Sequence, residues 1–598
     1  MTPKTLKRSA LAALVLGGAI AAPAQAAFIV SEASVDGVWF NPAREGRGAQ
    51  VDFIPGFVAG SPNGILFITT YLQNDAGVPT WLAIQVPSVT EGQFAFTNVP
   101  VTRSAAAGNA FGTDTPGVPP ATIGTANVTF NSCNDLQIQV TVTSAGVANL
   151  PQNTPLQLNL TRGGIPAPGC VYTQPFTACP TGTTAVANQP RTCALTGNIT
   201  TNVTLPNSAT YILNGAVNVG TPLAENGTLG SIGTLTIEPG TLIRGGGGAL
   251  DYLVVHPGSK IFAEGTEEAP IVFTSPAGTP GTWGGIFLAG LAPVNRGATP
   301  GSNIPFEAAA TIRFGGSAPR DSSGVLRYVQ IRDAGAVIAQ GREFNSLTLG
   351  GVGAGTVIEY VQAHNGTDDA FEMFGGTVNA RYLVATGNDD DSFDFDYGYV
   401  GRLQYLYARS DAQIDTADGR CVESDNTDST GNQDSTPRTQ PVIANMSCVG
   451  AGTGATWTEG MRLRRGSAGN YFNSVLVNAS AACLRFNDTS TYTAVGTPPS
   501  ATTFRGGFVG CATNFADGTS PPFTVASWYN TTGFENGTGT AAAALNGRFP
   551  VAGGPLTNSA VAPANEAFFE NTTYKGAFGP APLRDWTLGW TFPVSVNP

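Results

Sequence analysis

The sequence predicts an all-β protein whose main body is a right-handed parallel β-helix, a solenoid of coils roughly 22 residues long, with an antiparallel β-module in front of it. Three observations predict this. Seventy-six Gly and 42 Pro cut the 598-residue chain into short pieces, and long amphipathic helical patterns are nearly absent. Stretches between about 349 and 396 can be laid over one another at a spacing of 22 residues. Within them, Phe393-Asp394-Phe395-Asp396 alternates apolar and acidic residues with the period of a strand.

From the N-terminus, residues 1–26 read as a secretory signal. Lys4, Lys7 and Arg8 precede an apolar run from Ala10 to Ala22, and Ala24-Gln25-Ala26 supplies a cleavage pattern of small residues. The run is short for a membrane span, no later segment holds the ~18 consecutive apolar residues a spanning helix needs, and no Cys stands at the cut to accept a lipid. Loss of the three signal cations moves the formal charge from −12 to −15. So acidic a chain is a poor partner for nucleic acid or anionic membranes and a better one for cations. The expectation is export through the inner membrane to an extracellular or cell-surface location, the outer membrane included. The eight Cys are even in number, and proximity suggests the disulfides Cys133–Cys170, Cys179–Cys193, Cys421–Cys448 and Cys483–Cys511.

Residues 27–171 form the N-terminal β-module, with strand-like stretches at Gly64–Leu72, Pro79–Val86 and Val128–Val142 rich in β-branched and aromatic residues. Its run Val38-Trp39-Phe40-Asn41-Pro42-Ala43-Arg44-Glu45-Gly46-Arg47-Gly48, then Pro79-Thr80-Trp81-Leu82 and Ser132-Cys133-Asn134, resembles small modules of exported proteobacterial proteins. That resemblance implies no known chemistry. Trp39 and Trp81 read as buried core aromatics, with a sugar-stacking platform as the alternative. Residues 172–197 are a Pro/Thr/Ala-rich linker.

The β-helix spans 198–515. Leu349, Phe371 and Phe393 fall in register, as do Gly351, Met373 and Phe395; Ile358 meets Ala380, Tyr360 meets Tyr382, and Asn365, Asn388 and Asp411 align after a one-residue insertion. Looser segments on both sides bring the total to roughly ten coils. Residues 516–598 read as loops and a cap, with Trp586 and Trp590 covering the open end. A β-sandwich, the rival fold, requires no such register.

Several motifs are distinctive: Thr236-Ile237-Glu238-Pro239-Gly240-Thr241, Ala263-Glu264-Gly265-Thr266, Trp283-Gly284-Gly285-Ile286, Thr348-Leu349-Gly350-Gly351-Val352-Gly353, Asp368-Asp369-Ala370-Phe371-Glu372-Met373-Phe374-Gly375-Gly376 and Asp585-Trp586-Thr587. Over residues 198 to about 592 they resemble a widespread family of bacterial secreted and cell-surface right-handed β-helix proteins, many of them lipoproteins. The resemblance implies fold and location and no enzymatic role. This chain departs from the lipoprotein members in lacking the acceptor Cys.

One constellation can carry chemistry. From Asp368 to Asp434 there are fifteen acidic residues against four Arg. If Phe393 and Phe395 enter the core, Asp394 and Asp396 face out. One outward column then reads Glu372, Asp394, Glu423, Arg462, Arg485, and its neighbour Phe374, Asp396, Asp425, Arg464, Asn487. Carboxylates stacked ~4.8 Å apart repel, so they should recruit a cation, rise in pKa or lean on the Arg rungs. Oxygen-only ligands point to Ca²⁺, with Glu372, Asp394, Asp396, Glu423 and Asp425 as its candidate ligands. Three readings stay open: a solvated ladder of paired charges, a structural or adhesive Ca²⁺ site, and a catalytic groove. The last resembles polysaccharide lyases, where Arg462 or Arg464 would take a proton from a metal-bound uronate; a glycoside hydrolase using two of the Asp is a further form of it. The expected function is an adhesin-like binding scaffold for extracellular polysaccharide or cell-surface components. Glu359 and Arg381, 22 residues apart, are expected to pair; Asp389-Asp390-Asp391 lies between coils and reads equally as a polar turn or a metal loop, His364 falls at the corresponding turn one coil earlier, and His256 carries no signal.

Overall fold

The computed structural model describes residues 37–592 except 44–46, 55–63, 74–78, 90–94, 104–120, 133–134, 145–149, 163–175, 188, 190, 268, 277, 298–300, 340–341, 411–418, 428–430, 452–455, 497–501, 564–566 and 582. The signal-like segment, Asp411 and the pair Cys133–Cys170 lie outside the described residues. The other three disulfides are present as expected: Cys179–Cys193, Cys421–Cys448 and Cys483–Cys511.

Strands from Gly37–Phe40 to Leu156–Arg162 form an eight-stranded antiparallel barrel, closed where Trp39 meets Arg162. Alternation along each strand sends Val51, Ile68, Ile84, Val128 and Ile138 to its core. The expected stretch Val128–Val142 is two strands, Ala121–Ser132 and Asp135–Val142, folded back as a hairpin. Trp39 is fully buried, edge-on to Phe130, as expected. Trp81 is not a core residue. It stands 57 % exposed, edge-on to Tyr71, because Tyr71 and Trp81 are cross-strand partners on the outer face.

Beyond the linker the chain climbs a parallel β-helix. On one side ten strands stack in succession among the described residues, from Asn202–Leu205 and Thr234–Ile237 up to Asn470–Phe472 and Thr503–Arg505. The core is a set of inward columns. One runs Leu253, Ile286, Leu347, Phe371, Phe393, Val422, Met461, Leu484. The expected 22-residue register holds from Phe371 to Phe393 and from Ile358 to Ala380. It fails one coil earlier: Leu347, not Leu349, stacks on Phe371, and Leu349 stacks on Met373. That coil carries two more residues in its turns, which a fixed period cannot detect.

Two strands of each coil meet at a corner made by one residue with positive φ. Tyr328, Tyr360, Tyr382, Tyr405, Asn445 and Asn473 occupy it, with φ of 50 to 61°. A tyrosine there is strained, and stacking offsets the strain. Rings of Tyr328, Tyr360, Tyr382 and Tyr405 follow one another at 4.3 to 4.8 Å with planes within 14°.

Two excursions cover the solenoid's flanks. Residues 291–322 lay Ile304, Phe306, Ile312 and Phe314 over the outward side chains Tyr252, Val254, Phe287 and Phe374. The C-terminal segment runs back down the other flank. Asn473 binds Val561, Gln404 binds Glu570, Asn445 binds the Gly576 carbonyl and Gln362 binds Phe592. Trp586 and Trp590 therefore pack edge-on against the tyrosine stack rather than over the open end. The end is covered instead by two short helices, Thr489–Val495 and Val525–Tyr529, which bring Tyr492, Val495, Trp528 and Tyr529 into the core. No helix among the described residues is long and apolar enough to cross a membrane. Glu359 and Arg381 are rung partners, but their ion pairs lie elsewhere. Glu359 takes Arg327 at 3.1 Å and Arg381 takes Glu570 at 3.2 Å, with its guanidinium over Phe568.

Candidate functional site

The outward column beside the inward Phe371–Phe393 stack is continuous. It reads Val254, Phe287, Thr348, Glu372, Asp394, Glu423, Arg462, Arg485 and Ala516. Its acidic and basic rungs are the expected ones. In the neighbouring column the rungs Phe374 to Asp396 and Asp425 to Arg464 hold as well.

Outward does not mean solvated here. Glu372, Asp396, Glu423 and Asp425 are each less than a tenth exposed. The insertion provides the roof: Asn295 donates to Asn426, Arg296 to the Tyr397 hydroxyl at 2.6 Å, and Glu307 adds negative potential at Glu372. Asn345, in the loop before strand Leu347–Gly350, donates directly to the Glu372 carboxylate.

Along the column the charges fall into two groups. Toward the C-terminus they are compensated. Arg464 binds Glu423 and, at 2.7 Å, Asp425, which also takes Arg465 at 2.7 Å. Fully buried Glu459 accepts from Arg420 and Arg485, both at 3.2 Å, and Arg420 reaches Glu423 at 3.1 Å. Burial pushes Glu423 up, Arg464 pulls against it, and the carboxyl settles at about 7. Asp425 is raised by burial despite Arg464. Asp396 turns its carboxylate back onto the Tyr397 N–H at 2.6 Å. Of the five expected ligands, Glu372 and Asp394 thus remain together, while Glu423 and Asp425 are held by arginine.

Toward the N-terminus no Lys, Arg or His lies within ion-pair reach of Asp368, Asp369, Glu372 or Asp394 among the described residues. Oxygens of Asp369, Glu372 and Asp394 all lie within 4.8 Å of one another, and a second trio, Asp368, Asp369 and Asp390, shares Asp369. Burial first, and mutual repulsion second, hold Asp368, Asp369, Glu372 and Asp394 well above the usual carboxylate range. Asp394 Oδ1 is buried with no hydrogen-bond partner. Two oxygens on one Ca²⁺ lie no more than ~5 Å apart, twice its usual ligand distance of about 2.4 Å, so this set fits a hard cation.

Asp368, Asp369, Arg420 and Glu459 were missed as site residues. The signal for the first two is the repeat itself: Asp369 stands 22 residues before Asp391 and accepts its N–H at 2.9 Å. Arg420 and Glu459 are rung partners, hidden in sequence by the insertion between their coils.

The profile of the pectate-lyase-like β-helix domain matches residues 197–591, about two thirds of the chain. The chain belongs to that family. No curated protein and no solved structure matches it. In this pectate-lyase-like β-helix, the matched stretch contains the acidic ladder, the excursion 291–322 that roofs it, and the C-terminal segment on the other flank. The arginines named for a lyase reading separate. Arg464 is locked between Glu423 and Asp425; burial opposes its charge, but those two carboxylates outweigh it and raise its pKa. Arg462 has Glu423 only at 3.9 Å, and burial with the nearby Arg420 lowers its pKa.

Proposed function

We propose that this protein is an exported binding scaffold whose β-helix takes up Ca²⁺ on the acidic ladder. The observation that carries the reading is the buried trio Asp369, Glu372 and Asp394, whose oxygens converge with no cationic side chain within ion-pair reach among the described residues. Buried like charges stay ionised only beside an opposite charge, and a divalent ion with six to eight oxygen ligands supplies it. Asp368 and Asp390 extend the same negative pocket. Three disulfides support an oxidising compartment outside the cytoplasm. Cell-surface components or extracellular polysaccharide are the partners this reading assigns.

The test is a pair of thermal melts, one with excess Ca²⁺ and one with chelator. A cation bound only by the folded state adds about 2.7 kcal/mol at a hundredfold excess over Kd. The rise should disappear in Asp394→Asn. Superimposed melts of the native protein would refute the site.

The family match and the lowered pKa of Arg462 support a second reading, in which a Ca²⁺-held acidic polysaccharide loses a proton to Arg462 and is cleaved by elimination. Uronate polymers incubated with Ca²⁺ should then yield unsaturated products absorbing in the ultraviolet. Arg462→Lys should abolish them while leaving the Ca²⁺ melt unchanged; absence of such products from the native protein dismisses the reading.

A further inference from the structure

A second outward column, on different strands of the coils from the acidic ladder, carries positive charge. Arg244 is the rung partner of Thr274. Phe273 pairs with Ile331, which puts Arg332 on the rung after Thr274, and Arg332 pairs with His364. These residues line a cleft of about 410 Å³ together with Ser275, Asp333, Asn365 and an apolar wall of Leu242, Pro276 and Phe592. That volume is within the range of small-molecule sites.

Polar groups in the cleft are either fixed or left over. Asp333 is fixed: its carboxylate accepts from Thr274 at 2.7 Å and from Asn365 at 2.7 Å. His364 stacks on Phe592 and shares a hydrogen with Thr386 at 2.8 Å. The leftover groups are the ones a ligand would use. Among the described residues, neither Arg244 nor Arg332 has a carboxylate within ion-pair distance, although the chain as a whole carries −12. Arg332 rests its guanidinium on the Phe592 ring at 4.7 Å, and its Nε is buried with no hydrogen-bond partner. Ser275, 2 % exposed, has a buried hydroxyl likewise without a partner. Burial, opposed by Asp333 and aided by the neighbouring Arg244, brings Arg332 down to about 10. An unpaired buried donor is costly unless something accepts from it, and a planar guanidinium recognises a carboxylate through two parallel bonds.

We infer that this cleft binds the carboxylate of a sugar acid. Arg332 and Arg244 would take the carboxylate, Ser275 would meet a ring hydroxyl, and Leu242, Pro276 and Phe592 would cover the apolar face of the ring. The site stands apart from the cation ladder, and its test is run with chelator present, so either proposal can fail alone.

Ligand-observed NMR on the full chain, with galacturonate, galactose and inorganic phosphate as probes, decides it. Galacturonate should bind and galactose should not. Arg332→Gln and Arg244→Gln should each weaken galacturonate at least tenfold; Arg244 is exposed, so that variant keeps the native melt. Ser275→Ala should weaken it two- to fivefold. Equal binding of phosphate and galacturonate would overturn the sugar-acid assignment in favour of a bare oxyanion site. No binding of galacturonate, or binding indifferent to both arginine variants, would overturn the cleft.

Discussion

The acidic ladder and the arginine-lined cleft are built from the same device, an outward column of parallel rungs, and they end in opposite electrostatic states. The ladder is roofed by residues 291–322, so its charges are buried and must find partners inside the protein. Asp391, Glu423, Asp425 and Glu459 find Arg420, Arg464, Arg465 and Arg485, whereas Asp368, Asp369, Glu372 and Asp394 have no cation within ion-pair reach among the described residues. The cleft stays open: Arg244 is exposed, Arg332 lies half-buried against Phe592, and neither has a carboxylate within ion-pair distance among the described residues. Parallel rungs therefore yield a buried charge network on one set of strands and an open, arginine-lined cleft on another. The difference is the covering chain.

The contrast can be broken at its strongest point. Glu459 is 1 % exposed and bonded by two arginines. Glu459→Gln leaves buried Arg420 underpaired and takes the partner from half-buried Arg485, and loss of a buried pair costs about 3–5 kcal/mol; denaturant unfolding should show the loss, and a variant as stable as the native protein would mean that water, not Glu459, solvates those guanidiniums. Next in size is the pH response of the uncompensated segment. Folded-state pKa values of Asp369, Glu372 and Asp394 are raised, and Glu423 reaches about 7. Raised carboxyl pKa values stabilise the fold below the ordinary carboxylate range, and the stabilisation is lost as pH climbs through the folded values. In chelator, the melting temperature should fall as pH rises from about 4.5 through 7, and excess Ca²⁺ should flatten that fall. A chelated protein that gains stability over this range would remove the buried trio as a stressed site. The smallest effect belongs to the open column: Arg244→Gln should alter unfolding free energy by no more than about 0.5 kcal/mol, while weakening the anion probe.

Much of the ladder was legible in sequence because strand alternation and the 22-residue spacing place Glu372 beside Asp394 without any knowledge of packing. Glu423 and Arg462 were placed correctly across longer insertions because their alternation, Val422-Glu423-Ser424 and Met461-Arg462-Leu463, repeats the pattern of the strands before them. Periodicity failed where turn length varied, so Leu349 was set one pair of residues out of register. The arginine-lined cleft left no mark in sequence. Its members Arg244, Thr274, Arg332 and His364 are 30, 58 and 32 residues apart, and unequal coil lengths erase the repeat that joins them.

The solenoid and the order of acidic and basic rungs along one face were set by sequence alone, because they follow from period-2 alternation and repeat spacing; three disulfide pairings suggested by proximity are present as well. Only the tertiary structure decided which charges are buried, which are neutralised, and that Trp586 and Trp590 brace a flank instead of an end. Those outcomes depend on where residues 291–322 and the C-terminal segment lie down on the solenoid. Desolvation is a property of what covers a side chain, and the covering residues come from far away in the chain.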